Sequence, residues 1–267
     1  MIATAALIFL AASFVSRWGS PKTNIWALFA AISVSLGIIS SHILFSGALF
    51  LIFLFLFFTI YFKQRSILCF CAIITLATAL KLKLLPGYEP IFLAPRLSIG
   101  LQTDLIGLVP LAYFIPLAQS KKDWSAVLRG ALVGVLGIAL LALVAQMAGA
   151  VEWQFKRIPA LEMRLMTNFF LTAIPEEAFY RGFIQREIVR YFNNQVWGKI
   201  AALLITSILF TVAHLFWSPS GALLGFVFLA SLLYGGIYMI SGKIESAIAT
   251  HFLLNAIHML FFSYHAL

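Results

Sequence analysis

Long apolar segments recur along the whole chain, separated by short polar or basic breaks. Ten of them stand out, at residues 2–15, 25–45, 48–62, 67–80, 105–117, 128–149, 166–191, 200–216, 221–240 and 247–262. A helix needs about 20 mostly apolar residues to cross the hydrocarbon core of a bilayer. Only helices and closed barrels satisfy their backbone hydrogen bonds in lipid, and these runs lack the alternation of barrel strands. The pattern therefore predicts an all-α, polytopic transmembrane helical bundle with eight to ten membrane-embedded helices.

Composition supports an integral, multi-pass membrane protein. Of the 267 residues 63% are hydrophobic and only 10% are charged, whereas soluble domains have about 25% charged residues. The net charge of +9 comes from Lys and Arg residues placed singly or in pairs at the ends of apolar runs. This distribution is typical of basic residues that face the cytoplasm and anionic headgroups. We expect the lipid bilayer, and no nucleic acid, as the partner of these charges.

Two polar breaks suggest how the chain is organised. Residues 81–104 contain three prolines and two glycines and read as an extracytoplasmic or interfacial loop. Nearly every ionisable residue expected inside the membrane lies after residue 170. We predict N-terminal transmembrane helices and this loop in residues 1–120, and a catalytic helical core in residues 126–262.

The segment IPEEAFYRGF places three charges in an apolar surrounding. Glu176, Glu177 and Arg181 would together cost about 8–10 kcal/mol if they were unpaired at the centre of spanning helices. Glu177 and Arg181 are four residues apart with the glutamate first, which favours an ion pair on one helix face. Pro175 has no N–H group and should loosen the turn before it.

Glu176 points about 100° away from Glu177 on a helix, so its carboxylate keeps a face free for another task. A partly desolvated carboxylate of this kind is suited to accept a proton from water. The alternative is that the EExxxR segment only locks two helices together through buried ion pairs.

Two later apolar helices carry further polar groups. FTVAH places Phe210 and His214 four residues apart, and HFLLNAIH places His251, Asn255 and His258 along one helix face. The alternative for these residues is interhelical hydrogen bonding without chemistry. On straight helices His214 and His251 would lie towards opposite membrane faces, so their convergence on Glu176 requires a tilt or a kink.

The order EExxxR, FxxxH and HxxxN on three successive helices resembles the CPBP family, which comprises type II CAAX prenyl endopeptidases and their bacterial relatives, also called Abi proteins. The resemblance covers approximately residues 128–262. It implies an intramembrane endopeptidase of the glutamate type that hydrolyses peptide bonds of membrane-associated or lipidated proteins and peptides. It also implies a bacterial inner (plasma) membrane location.

The resemblance assigns a role to each motif residue. Glu176 would be the general base that activates water, and His214 would help to hold this water. His251 and Asn255 would stabilise the oxyanion, while Glu177 and Arg181 would orient the site. We expect no cofactor. If the enzyme uses zinc instead, Glu176, His214 and His251 are the candidate ligands, although the chain has no HExxH segment.

Other functions stay open at this point. Ser220 with His251 faintly resembles a serine–histidine dyad, but no GxSG segment precedes the serine. Buried Glu, Arg and His residues also occur in proton-coupled transporters, although no inverted repeat is evident. A non-catalytic membrane scaffold or immunity protein with the same fold is the third possibility.

Overall fold

The computed structural model describes residues 1–19, 23–95, 97–113, 115–216 and 221–263, with the side chains of residues 102 and 103 excepted. Helices dominate, so the prediction of an all-α bundle is confirmed. The chain forms two compact units, Met1–Phe114 and Ile115–Leu267. The assignment of catalysis to residues 126–262 stays a prediction.

The described part of the first unit contains five helices and a short hairpin. They are α1 (Ile2–Gly19), α2 (Ile25–Ile39), α3 (Phe45–Gln64), α4 (Ile67–Lys81), β1 (Ile91–Ala94), β2 (Leu97–Ile99) and α5 (Leu101–Tyr113). Helices α1 and α2 pack together, and the buried Ser33 hydroxyl donates to the Ala6 carbonyl across this contact at 2.7 Å. Satisfying a buried hydroxyl in this way holds the two helices in register.

The segment 81–104, expected to be irregular, is more ordered than its proline content suggests. Strands β1 and β2 pair antiparallel within it, and the Tyr88 hydroxyl donates to the Gly47 carbonyl of α3 at 2.5 Å. A Cβ at Gly47 would lie 2.2 Å from the carbonyl oxygen of Gly87, whose own φ is +107°. Glycine at both positions allows this backbone approach and anchors the loop on α3.

The second unit contains the remaining helices and two short paired strands. They are α6 (Lys121–Met147), β3 (Glu152–Trp153), α7 (Leu161–Asn168), α8 (Ile174–Glu177), α9 (Arg186–Tyr191), α10 (Val196–Val212), α11 (Gly221–Ser241), α12 (Ile244–Phe261) and β4 (Phe262–Ser263). Two π-helical segments, π1 (Phe169–Ala173) and π2 (Ala178–Gln185), join α7, α8 and α9 without a break. We call the resulting continuous helix, residues 161–191, the carboxylate helix.

Polar contacts fasten the first turns of α6 and α12 to each other. Ser120 and Asp123 form a reciprocal capping box at the start of α6, which satisfies backbone N–H groups that have no partner within the helix. Lys243, immediately before α12, forms an ion pair with Asp123 at 2.6 Å. Glu245 accepts a hydrogen bond from the Ala118 N–H, also at 2.6 Å. These contacts fix where α12, which carries two of the candidate site residues, begins.

Farther along, α6 and α12 approach closely at glycines. A Cβ at Gly130 would lie 2.7 Å from the Ser246 hydroxyl, and one at Gly134 would lie 2.2 Å from the Thr250 hydroxyl. Small residues bring transmembrane helices close enough for backbone contact, since lipid provides no hydrophobic force between them. We call this close contact of α6 and α12 at Gly130 and Gly134 the seam. It sets the rotation of α12 next to His251.

The described residues include five helices that are long and apolar enough to cross a membrane: α1, α3, α6, α11 and α12. Four shorter apolar helices accompany them, at Ile25–Ile39, Ile67–Lys81, Asp104–Tyr113 and Val196–Val212. The predicted number of eight to ten membrane-embedded helices stays a prediction.

We predict that Gly134→Ala destabilises the second unit. The new methyl group would overlap Thr250, which is buried and already donates to the Ser246 carbonyl, so α6 and α12 must separate. The expected loss is about 1–3 kcal/mol in the free energy of unfolding, measured by reversible unfolding in detergent. Gly236→Ala is the control, because, apart from its own helix backbone and chain neighbours, no described atom lies within 4 Å of the Cβ position there. Equal stability of the two variants would contradict the close seam.

Candidate active site

The carboxylate helix changes its winding on both sides of the two glutamates. In π1 the Ile174 N–H bonds to the Phe169 carbonyl, five residues earlier instead of four. Pro175 follows at once and has no N–H to donate, so a widened turn is compatible with the gap that it leaves in the ladder. Single π turns inside α-helices often occur at functional sites. Here π1 and π2 enclose the short α8 with Glu176 and Glu177.

Glu177 is the acceptor at the centre of a buried network. Its Oε1 accepts from Arg181 Nη1 at 3.0 Å and from His251 Nδ1 at 2.7 Å. Arg181 Nη2 also donates to the carbonyl and the hydroxyl oxygen of Ser231 in α11, at 3.0 and 2.7 Å. Glu177 and Arg181 are completely buried. The network therefore ties the carboxylate helix to α11 and α12 by charge-assisted bonds.

Aromatic rings enclose the guanidinium of Arg181. Its Cζ lies 4.7 Å from the ring centroid of Phe210, 5.3 Å from that of Tyr234 and 5.9 Å from that of Tyr180. The Tyr234 ring also stacks on His251, with centroids 4.6 Å apart and planes 12° apart. A cation held against desolvated rings gains electrostatic stabilisation from their faces. The enclosure fixes both the guanidinium and the imidazole.

Two histidines present the same ring atom to Glu176. His214 Nε2 lies 4.0 Å and His251 Nε2 lies 3.9 Å from Glu176 Oε2. His214 Nδ1 lies 2.7 Å from the Phe210 carbonyl, and because a carbonyl only accepts, this nitrogen carries a proton. His251 Nδ1 is fixed in the same manner by Glu177. Both Nε2 atoms thus face the carboxylate, and the separation expected for straight helices does not occur.

Asn255 lies one turn beyond His251 on α12. Its Nδ2 donates to Oδ1 of Asn168 at 2.9 Å. The structure thus brings Glu176, Glu177, Arg181, His214 and His251 into one cluster and joins Asn255 to the carboxylate helix through Asn168. His258, two turns beyond His251, is half-buried.

The sequence analysis did not identify Asn168, Ser231, Tyr234 or Tyr180. Ser231 and Tyr234 lie three residues apart in α11, the spacing that places two side chains on one helix face. Asn168 precedes Glu176 by eight residues, or about two turns, on the same helix. Such spacings show that two residues share a helix face, but they do not show which other helix that face contacts. Ser220, the nucleophile of the alternative dyad, lies outside the described residues.

A zinc ion would set the distances between the candidate ligands. Zinc holds its nitrogen and oxygen ligands at about 2.0–2.2 Å, and Glu176, His214 and His251 would have to draw together around such an ion. Within the described ranges, no group of three or more His, Cys, Asp or Glu residues is arranged to hold a metal ion. The zinc alternative, with these three residues as ligands, stays a prediction.

We predict that Arg181→Leu strongly destabilises the protein, because it leaves the carboxylate of Glu177 buried without its cation. Breaking a buried pair in this way costs about 3–5 kcal/mol, which equilibrium unfolding in detergent can measure. Arg129→Leu on α6 is the control. Its exposed guanidinium donates to the Ser125 hydroxyl, so its loss should cost about 0.5 kcal/mol or less. Similar losses in the two variants would show that Arg181 is not a buried structural cation.

One comparison with known proteins matches the region that contains this site. The model of the family described as Type II CAAX prenyl endopeptidase Rce1-like matches residues 159–257. Comparisons with curated proteins and with solved structures give no match. The matched region contains every residue of the EExxxR, FxxxH and HxxxN motifs. The resemblance to the CPBP group is thereby confirmed for residues 159–257, which match the Rce1-like model of the type II CAAX prenyl endopeptidases.

Proposed function

We propose that this protein is an intramembrane endopeptidase in which Glu176 and His214 activate water while His251 and Asn255 stabilise the oxyanion. One observation carries the proposal: two histidines fixed at Nδ1 direct Nε2 at the same oxygen of Glu176, at 3.9 and 4.0 Å. This cluster lies in the region that matches the model of a CAAX-type protease family. Peptide hydrolysis needs a base and an oxyanion site, and the cluster provides a candidate for each.

The first step is the activation of water. A separation of about 4 Å is too long for a direct hydrogen bond, but one water molecule about 2.8 Å from each atom spans Glu176 Oε2 and His214 Nε2. His214 accepts or orients one hydrogen of this water through Nε2. Glu176 takes the other as a proton while the water oxygen attacks the scissile carbonyl. A new C–O bond forms, and the carbonyl oxygen becomes an oxyanion.

The second step is the stabilisation of that oxyanion. Because His251 Nδ1 donates to Glu177, Nε2 can donate as well only when the ring carries both protons. Glu177 stabilises this imidazolium from the side opposite the reacting atoms. Asn255 donates through its carboxamide. Fixed donors aimed at a developing charge are worth about 10²–10³ in rate each.

Charge balance supports this assignment. Glu176, Glu177 and Arg181 carry one surplus negative charge, which a protonated His251 cancels. When Glu176 takes the proton from water, the new oxyanion replaces the negative charge that Glu176 has lost. The buried cluster therefore stays neutral as the tetrahedral intermediate forms, and no uncompensated charge is created in a medium that solvates charge poorly.

The last step breaks the amide bond. The protonated Glu176 returns its proton to the leaving nitrogen, the C–N bond breaks, and the oxyanion collapses to a carboxylic acid. The base of the first step is thus the acid of the last. Its burial, with only 7% of Glu176 exposed, keeps this proton away from bulk water.

We propose membrane-associated or lipidated proteins and peptides as the substrates, and the bilayer of a bacterial inner membrane as the location. The five helices among the described residues that are long and apolar enough to span a membrane support integral insertion. The family takes its name from endopeptidases that act on prenylated CAAX sequences. A substrate held in the membrane by its own lipid or helix meets a site built on transmembrane helices without leaving the bilayer.

We predict that Glu176→Gln abolishes cleavage and leaves the fold intact, because the amide cannot accept a proton from water. The assay uses purified protein in lipid vesicles with an internally quenched peptide that ends in a farnesylated CAAX sequence. The expected loss is about 10²–10⁴-fold. Glu162→Gln, an exposed residue of the same helix, is the matched control and should retain full activity. Equal activity of the Glu176→Gln and wild-type proteins would overturn the role of the base.

A second test concerns the choice between glutamate and metal chemistry. We predict that prolonged dialysis against a zinc chelator leaves the rate of peptide cleavage unchanged, because the mechanism uses only side chains of this chain. Metal content of the dialysed protein, measured by mass spectrometry, confirms that the treatment was complete. Loss of cleavage with recovery on adding zinc would instead establish zinc dependence, with Glu176, His214 and His251 as the candidate ligands.

A further inference from the structure

Asn168 connects the carboxylate helix to α12 through both ends of its carboxamide. Its Nδ2 donates to the Phe252 carbonyl at 3.3 Å, and its Oδ1 accepts from Asn255 Nδ2 at 2.9 Å. Asn168 is the last residue of α7 and is only 8% exposed. Beside it, the rings of Phe169 and Phe252 meet edge to face with centroids 5.3 Å apart. The contact is thus a specific hydrogen-bonded junction within a packed interface.

The acceptor at one end of this junction determines the orientation of both amides. The Phe252 carbonyl can only accept, so the NH₂ group of Asn168 must face it. The oxygen of Asn168 then faces Asn255, which must present its own NH₂ group. A flipped Asn255 would place oxygen against oxygen. One of its two amide hydrogens is used by Asn168, and the second stays available to another acceptor.

We propose that Asn168 is a positioning residue that makes Asn255 a hydrogen-bond donor at the site. The inference rests on the proposed function, in which Asn255 donates to the oxyanion. A carboxamide free to rotate would present its oxygen as readily as its nitrogen, and an oxygen would repel the developing charge. Asn168 removes that alternative before substrate binds, which is the preorganisation that oxyanion stabilisation requires.

The position of Asn168 on the carboxylate helix gives the junction a second consequence. Glu176, the proposed base, follows on the same helix through π1. Asn255 is therefore held by the element that carries Glu176, in addition to its own helix. The hydrogen bond resists sliding of the two helices past each other, which would separate the donor from the base.

The kinetic test is a double-mutant cycle between Asn168 and Asn255, assayed with the farnesylated CAAX peptide in vesicles. Asn168→Leu keeps the size of the side chain and removes both hydrogen bonds. It should lower kcat about 10- to 100-fold, since a misoriented donor costs part of the 10²–10³ of a lost one, and should leave KM within about twofold. In an Asn255→Ala background the same change should have no further effect on kcat, because the carboxamide through which Asn168 acts is absent.

Thr167→Val is the matched control. Thr167, the preceding residue, is equally buried, but within the described part of the chain its hydroxyl donates to carbonyls of its own helix, those of Met163 and Arg164. Its kcat should stay within about twofold of wild type. An additive effect of Asn168→Leu in the Asn255→Ala background, or an equal effect of Thr167→Val, would reduce Asn168 to a packing role and overturn the proposal.

A measurement without substrate separates this proposal from the proposed function. In protein with ¹⁵N-labelled asparagine in nanodiscs, the Asn255 carboxamide, assigned with Asn255→Ala, should exchange its hydrogens slowly and lose this protection in Asn168→Leu. Unchanged exchange in Asn168→Leu would overturn the positioning role whatever the activity. If the wild-type protein cleaves no peptide while the loss of protection occurs, the proposed function fails and the junction stands.

Discussion

The buried carboxylate of Glu177 is the group on which the rest of the site depends. It accepts from Arg181 and from His251 at the same oxygen, at 3.0 and 2.7 Å, and it lies on a different helix from the histidine. An isolated carboxylate at this depth would cost several kcal/mol. The guanidinium offsets that cost, and the imidazole uses the remaining charge to fix its ring. The stability of the core and the orientation of the proposed oxyanion donor therefore rest on one shared charge.

The same network explains why aromatic rings surround the site. Phe210 contacts the guanidinium of Arg181 and also lies against His214 and His251, with centroid distances of 4.5 and 5.9 Å. These rings limit the directions in which the charged groups can turn and surround them with apolar atoms. The low local dielectric of such a surrounding strengthens each hydrogen bond within it. The polar cluster is thus small, and the apolar helices around it supply its rigidity.

The helices and the central ion pair of the site were predictable from the sequence. The i,i+4 spacing of Glu177 and Arg181 on an apolar helix is sufficient to predict their pairing. Each is the oppositely charged residue that the helix itself places beside the other. The long apolar runs likewise predict helices. Convergence of His214 and His251 on Glu176 was not predictable in detail, since it depends on the two π segments and on helix rotations set by glycines such as Gly134. Local residue pattern does not encode such long-range geometry.

The partners of the motif residues were beyond prediction for a related reason. Asn168 and Ser231 are ordinary helix positions until another helix lies against them, and only tertiary packing decides which backbone carbonyl an amide meets. Most side-chain hydrogen bonds of this kind go to the backbone, which every residue possesses. A sequence pattern therefore identifies the groups that carry chemistry more readily than those that orient them.

The central claim is that Glu176 drives peptide hydrolysis in the membrane of a living cell. The most direct measurement compares the membrane peptides of cells that carry the wild-type protein with those of cells carrying Glu176→Ala at the same protein level. The account predicts fragments with new carboxyl termini, derived from membrane-associated or lipidated precursors, in the wild-type cells alone. Identical peptide populations in the two strains would contradict it.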